Sequence, residues 1–224
     1  MTLLTNENYS WPCDRAVRSM AHKDPGAIGF TDAAFRYSDY DTPLWARTNT
    51  QDGRWHRART SPTQYFGITP DACWADLIRH ENLRTDHELA MVRMALWVLQ
   101  LSEQRIADYG AFEKAEAAGF PPDALIDDDW NRCQVEGERL RELGYRGVMA
   151  PSAALPGDLT LTLFGGRRAV GWDDSPLVAS AIPAKVVTIG APPPGLLNRV
   201  RYFGQEHTGY ATYAKERARR ERNA

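Results

Sequence analysis

Hydrophobic and polar positions change period several times along the chain, and each change predicts an element. Thr69 is a good N-cap and Pro70 a good first helical residue, so a helix runs over residues 70–81. Trp74, Leu77 and Ile78 in it look buried, and Asp76 lies on its second turn. The apolar run 94–101 is too short for period alone to separate helix from strand. Residues 111–118 read as a helix stopped by Gly119, and 129–143 as a clearer one ended by Gly144. A short buried strand over 147–150 leads into Pro151-Ser152. Leu159, Leu161 and Leu163 alternate with Thr160 and Thr162, the period of a half-buried strand. Residues 185–189 are a further strand, the prolines 192–194 break the chain, and 212–222 form a charged helix. Residues 35–65, rich in Arg, Asp, Thr and Gly, read as short strands and long loops, the usual place for binding residues. Residues 1–34 read as an N-terminal extension, helical around 15–22, ahead of a domain over 35–224. Helices and strands intersperse without a βαβ rhythm, so the class is α+β.

Composition narrows the picture. Of 224 residues, 43% are hydrophobic and 25% charged, enough for a real core. A net charge of −2 points to neither a general nucleic-acid binder nor a membrane-surface protein. Cys13, Cys73 and Cys133 lie far apart with no metal-ligand or Cys-x-x-Cys spacing, which suits a reduced, cytoplasmic setting. The first 14 residues show no basic segment followed by an apolar run, so no signal peptide is expected. The five histidines lack zinc spacing. Gly165-Gly166-Arg167 is not a dinucleotide fingerprint, since no Gly-x-Gly-x-x-Gly opens a helix.

The candidate chemistry lies in four short frames: Gly53-Arg54-Trp55, Gln64-Tyr65-Phe66, the segment Thr69 to Asp76, and Pro151-Ser152-Ala153. Arg54 to Tyr65 is eleven residues, and Tyr65 to Asp76 is eleven again. This layout resembles the RES-domain family, named for a conserved Arg, Glu and Ser, from about Phe35 to Phe164. The resemblance implies an ADP-ribosyltransferase-like α+β fold of small twisted sheets with surrounding helices, in which residues 94–101 are a strand. It implies degradation of NAD, with NAD as substrate and not as a recycled cofactor, and no metal. It also implies a toxin restrained by an Xre-type antitoxin that carries a helix-turn-helix part. Direct contact with nucleic acid or membrane is not implied, and assembly into a homo-oligomer is left open. One departure stands out: the family acid is usually Glu, and this chain has Asp76.

Cleaving the nicotinamide–ribose bond passes through a ribosyl cation akin to the oxocarbenium states of glycosidases. The leaving group is already good. The protein must therefore hold a charged dinucleotide and stabilise the developing cation. Arginine suits the diphosphate through bidentate, charge-assisted bonds, an aromatic supports a ring, and a carboxylate faces the cation. On the resemblance, Arg54 grips phosphate, Tyr65 supports nicotinamide or ribose, Asp76 is the acid, and Ser152 bonds ribose, diphosphate or amide. Arg36 and Tyr37 add a second phosphate contact and a stacking face, with Arg47 competing as the second arginine.

Each has a plain alternative. Arg54 could be a surface arginine after a turn glycine, and Arg36-Tyr37 an exposed loop pair. Tyr65 could be a core tyrosine with its hydroxyl at the rim, Asp76 a solvent-facing helix residue, and Ser152 a turn serine. Ser152 lacks a nucleophile elbow and a His–Asp relay. His80 falls at i+4 from Asp76 and within reach of it, though such a histidine is more often a surface residue. The reading is an NAD glycohydrolase or NAD phosphorylase. The rivals are a mono-ADP-ribosyltransferase acting on protein and a degenerate nucleotide-binding domain without turnover.

Overall fold

The computed structural model describes residues 23–175, 178 and 180–223. Its strands are β1 (Ala27–Ser38), β2 (Thr63–Gly67), β3 (Met94–Asp108), β4 (Gly147–Pro151), β5 (Leu159–Phe164), β6 (Arg168–Val170) and β7 (Ala181–Gly190). Its α-helices are α1 (Pro70–His80), α2 (Asp86–Met91), α3 (Phe112–Ala117), α4 (Asn131–Glu142) and α5 (Thr208–Asn223). Short 3-10 turns occupy Pro122–Leu125 and Pro194–Leu196.

The long strand β3 organises the sheet. One of its edges pairs antiparallel with β1 from Ala27↔Ala107 to Ser38↔Ala95. The other pairs with β7 over Met94–Leu99 and, parallel, with β4 over Ile106–Asp108. The sheet order is β1-β2-β5-β4-β3-β7-β6, and the added β1–β3 pairing closes β1, β2, β5, β4 and β3 into a small barrel. Closure removes the free edges of those strands, leaving β7 and β6 as a wing. Inside lie Ala34, Phe66, Leu99, Leu101, Ile106, Met149, Leu161 and Leu163. The α+β expectation holds, with one closing seven-stranded sheet in place of separate small sheets.

Other expectations shift in detail. Residues 27–34 lie in β1 and pair with β3, so a boundary after residue 34 would cut a strand. Ile28, Phe30 and Thr31 favour a strand while Ala27, Gly29, Asp32, Ala33 and Ala34 do not, and pairing with the long partner strand settles the segment. The helix expected around 15–22 lies outside the described residues. The strand β5 is not half-buried: Leu161, Leu163 and Thr162 are all within 1% of fully covered. Leu161 and Leu163 face the barrel core, and Thr162 on the other face lies under the cleft. The unanticipated α2 carries a capping box, with Thr85 Oγ1 accepting from Glu88 N–H and the Glu88 carboxylate accepting from Thr85 N–H.

Candidate active site

One side of α1 faces a cleft and the other faces the core. Ala72, Cys73, Asp76, Arg79 and His80 line the cleft, the i, i+1, i+4, i+7, i+8 stripe of a helix. Trp74, Leu77 and Ile78 turn away into an apolar cluster, at most 3% exposed. Burying each contributes roughly 1.5–3 kcal/mol and fixes the rotation of the helix. Thr69 caps it, its Oγ1 accepting from Ala72 N–H while donating to Asp158 Oδ1 at 3.0 Å. At Gly67, the last residue of β2, a Cβ would overlap the Cys73 backbone, so glycine lets β2 and α1 meet at the cleft wall. The opposite wall is the end of β1, the loop 45–56 and Tyr65-Phe66, and the cleft volume is about 530 Å³, within the usual range for ligand sites.

Arg54 sits at the corner of a tight turn. Gly53 N–H donates to His56 O at 3.0 Å, and His56 N–H returns to Gly53 O at 3.3 Å. Gln134 Nε2 donates to Gly53 O and Arg141 Nη2 to Trp55 O, tying the turn to α4. The Arg54 Nη1 donates to Asp127 O at 2.8 Å and Ala124 O at 3.3 Å. One edge of the guanidinium is thus anchored on backbone carbonyls beside the cleft. Trp55 is a packing residue, stacked against Tyr109 at 6.3 Å between ring centroids.

Arg36 is braced in three ways. Its Nη1 donates to Gln64 Oε1 at 2.9 Å, Gln64 Nε2 donates to Trp45 O, and the guanidinium lies 4.0 Å over the Trp45 ring. Burial pulls it down to about 10, with neighbouring Tyr37, Cys73 and Asp76 acting the other way. It stays charged at neutral pH. Tyr37 lines the same wall, and burial followed by the Asp76 charge raises its hydroxyl well above the ordinary value. Arg47 also lines the cleft.

Asp76 and His80 form an i, i+4 pair, Nε2 to Oδ1 at 3.4 Å, with side chains 42% and 38% exposed. Burial works to raise the Asp76 carboxyl, but the charge and hydrogen bond of His80, with Arg79 and Arg54, outweigh it and hold it below the ordinary carboxylate value. The Asp76 charge lifts His80 above its ordinary value despite burial. Beside them Arg79 is 2% exposed. It donates to Ala153 O and, from Nη2, to Asp128 Oδ1 at 2.6 Å, and lies 4.2 Å over the Phe203 ring. Burial, then the charges of Arg54 and Arg201, pull it down to about 10.

The fold thus brings Arg36, Tyr37, Arg54, Tyr65 and Asp76 to one cleft and leaves Ser152 behind its wall. Ser152 is 1% exposed. Its Oγ accepts from Leu155 N–H at 3.0 Å, and its carbonyl accepts from His207 Nε2 at 3.0 Å. In this structure it shapes the turn that presents Pro151 and Ala153 to the cleft. Sequence reasoning passed over Arg79, His56 and Asp128. Arg79 was legible as i+3 from Asp76 on the same stripe. His56 adjoins the Arg54 frame but carries no signal of its partner. Asp128 shares its Oδ1 between Arg79 and Arg201, a pairing across 49 and 73 residues with no local mark. Among the described residues no group of three or more His, Cys, Asp or Glu is placed to hold a metal ion, and no helix is long and apolar enough to cross a membrane.

The structure is thus a closed α+β barrel with an arginine–tyrosine–carboxylate cleft. The RES domain family model covers residues 28–182, and the chain belongs to that family. A probable NAD(+) phosphorylase of Mycobacterium tuberculosis is 27% identical over 118 residues, 50% of this chain and 53% of that protein. The chain therefore spans about half the length of the curated relative it matches. Among solved structures, a chain of the M. tuberculosis MbcT–MbcA toxin–antitoxin complex shares the fold, with a TM-score of 0.54 at 20% identity over 79% of this chain and 92% of that one.

Proposed function

We propose that this chain cleaves NAD at the nicotinamide–ribose bond, with phosphate as acceptor, and acts as the toxin of a toxin–antitoxin pair. The observation that carries the reading is the convergence of Arg36, Arg54, Tyr37, Tyr65 and Asp76 on one cleft. The two arginines line the same wall from separate elements, and guanidinium groups suit the phosphates of a dinucleotide. The anionic Asp76 faces the place where the ribosyl cation forms. As the C1′–N bond breaks, its electron pair neutralises the pyridinium nitrogen, so nicotinamide leaves without a proton. A phosphate oxygen then bonds C1′ and gives ADP-ribose 1-phosphate. The name of the M. tuberculosis relative supports phosphate over water or a protein side chain. The toxin–antitoxin complex among the structural neighbours supports a protein partner, and an Xre-type antitoxin with a helix-turn-helix part is the partner we propose. A bacterial cytoplasm would supply both NAD and phosphate.

The test is incubation of the pure chain with NAD, with and without inorganic phosphate, followed by product identification. ADP-ribose 1-phosphate and nicotinamide are expected only with phosphate. ADP-ribose in both arms would make the chain a glycohydrolase. Intact NAD in both arms, or label transferred to protein in cell extract, would overturn the proposal. Expression alone should arrest bacterial growth while intracellular NAD falls, and arrest at normal NAD would point to protein modification.

A further inference from the structure

One buried polar arrangement in the cleft wall involves a histidine that the proposed function leaves without a role. His56 is 2% exposed. Its Nε2 lies 3.1 Å from Gln51 O, and its Nδ1 lies 2.8 Å from the Tyr65 hydroxyl. A carbonyl only accepts, so Nε2 carries the proton and Nδ1 offers a lone pair. The Tyr65 hydroxyl must then donate to Nδ1. The same hydroxyl accepts from Trp55 N–H at 3.0 Å. The chain of donors is therefore Trp55 N–H to Tyr65, Tyr65 O–H to His56, and His56 Nε2–H to Gln51. Gly53 closes the packing, since a Cβ there would overlap both the imidazole and the hydroxyl.

We propose that His56 is a positioning residue for the candidate active site: it takes the Tyr65 hydrogen bond, orients that hydroxyl toward Trp55 N–H, and so locks the turn that presents Arg54. The proposal rests on the reading of the cleft as an NAD site only for its kinetic consequence. Its chemical consequence is that the Tyr65 proton is already committed, so Tyr65 braces Arg54 and does not hand a proton to the substrate. Burial pushes the Tyr65 hydroxyl up, which keeps that proton in place throughout the working pH range.

Protonation of His56 would break the chain. With both ring nitrogens donating, the Tyr65 oxygen would face two donors and its own hydrogen would lose its acceptor. The charged groups facing His56 are Arg141 from α4, which opposes its protonation, and Asp52 from its own loop, which favours it. Tyr65 faces it from β2, and Arg54 shares its turn. Burial, the largest influence, holds His56 below its ordinary value of 6.5, so the brace is intact at neutral pH and fails on the acid side.

Two measurements test this. Long-range 1H–15N NMR correlations of the full chain at pH 7 should show His56 protonated at Nε2 alone, and the Trp55 amide resonance should move in Tyr65→Phe and His56→Ala but little in His56→Asn. An Nδ1–H tautomer, or a Trp55 amide indifferent to His56→Ala, would overturn the brace whether or not the chain acts on NAD. Nicotinamide release from pH 5 to 8 gives the kinetic arm. His56→Ala should raise KM for NAD about tenfold at pH 7, the effect of one unmade buried hydrogen bond, with a smaller change in kcat. Asn places a non-titrating amide oxygen where Nδ1 stood, so His56→Asn should rescue most of that loss and flatten the wild-type acid limb. An acid limb unchanged in His56→Asn, or wild-type KM in His56→Ala, would refute the role. An intact NAD pool with wild type alongside the expected NMR result would refute the NAD reading and leave the brace standing.

Discussion

Arg54 has its Nη1 engaged by both Asp127 O and Ala124 O, which restrains the guanidinium before any ligand arrives. Replacing it by Ala should weaken NAD binding by roughly 1.5–3 kcal/mol, the scale of a charge-assisted bond. Calorimetric titration of the folded variant checks this, and unchanged affinity would remove Arg54 from the site. Arg54→Lys should also be impaired, because a point charge cannot hold two carbonyls and a phosphate in one plane. On the proposed function, Asp76→Ala and Asp76→Asn should each lose about 10²-fold or more in turnover, the scale of removing one group aimed at developing charge. The side chain is 42% exposed to the cleft, so Asp76→Glu has room and should retain turnover.

The Asp76–His80 pair also titrates with a definite sign. His80 is raised, so its contribution is present below its ordinary value of 6.5 and fades as pH rises through the folded value. Asp76 is lowered, so its contribution is present above its ordinary value of 3.8 and fades as pH falls through the folded value. Both side chains are more than a third exposed, so solvent screening keeps the effect on stability small. The cleaner readout is an NMR titration: the His80 midpoint should lie above 6.5 in the wild type and fall back toward it in Asp76→Asn. A midpoint indifferent to that change would mean that the pair does not form.

On the element scale, α1 does two jobs with two faces. The apolar face anchors it and the polar stripe carries Asp76, Arg79 and His80. Its cap matters more than most because Thr69 joins the helix to Asp158 ahead of β5 as well as closing the first turn. Thr69→Ala should cost about 1 kcal/mol in urea unfolding, while Thr69→Ser should cost less because the hydroxyl stays. Equal losses for both would show that the methyl packing, and not the cap, is what counts. The acid Asp71 in the first turn and the bases Arg79 and His80 in the last suit the helix dipole.

For the whole molecule, the cleft depends on distant segments meeting at Asp128. Its Oδ1 accepts from Arg79 of α1 at 2.6 Å and from Arg201 at 3.0 Å, and its Oδ2 accepts from Gly204 N–H at 2.6 Å. Arg201 also donates to Ile126 O at 2.9 Å. Removing Asp128 leaves two guanidinium groups, 2% and 8% exposed, without their shared carboxylate. Asp128→Ala should therefore destabilise the chain by about 3 kcal/mol, at the low end for breaking a buried ion pair, since Asp128 itself is 29% exposed. Urea denaturation measures it, and a loss below 1 kcal/mol would mean that the C-terminal segment is held by other contacts.

Helix α1, its cap, the stops at Gly119 and Gly144, and the candidates Arg36, Tyr37, Arg54, Tyr65 and Asp76 were legible in the linear chain. Each of these is a local matter: a cap three residues from its donor, a glycine with positive φ, a frame of fixed spacing. Which way the side chains serve followed from long-range packing. It closed the sheet into a barrel through β1 and β3, whose pairing joins residues far apart in sequence, and so drew residues 27–34 into the domain. It turned Ser152 to bond Leu155 N–H and His207 behind the wall, although its place after Pro151 matched the family frame. It gave Arg79 its carboxylate and Tyr65 its histidine. Hydrogen-bond partners are chosen by geometry across the fold, and a linear pattern records residue types and spacings but not which buried donor meets which acceptor.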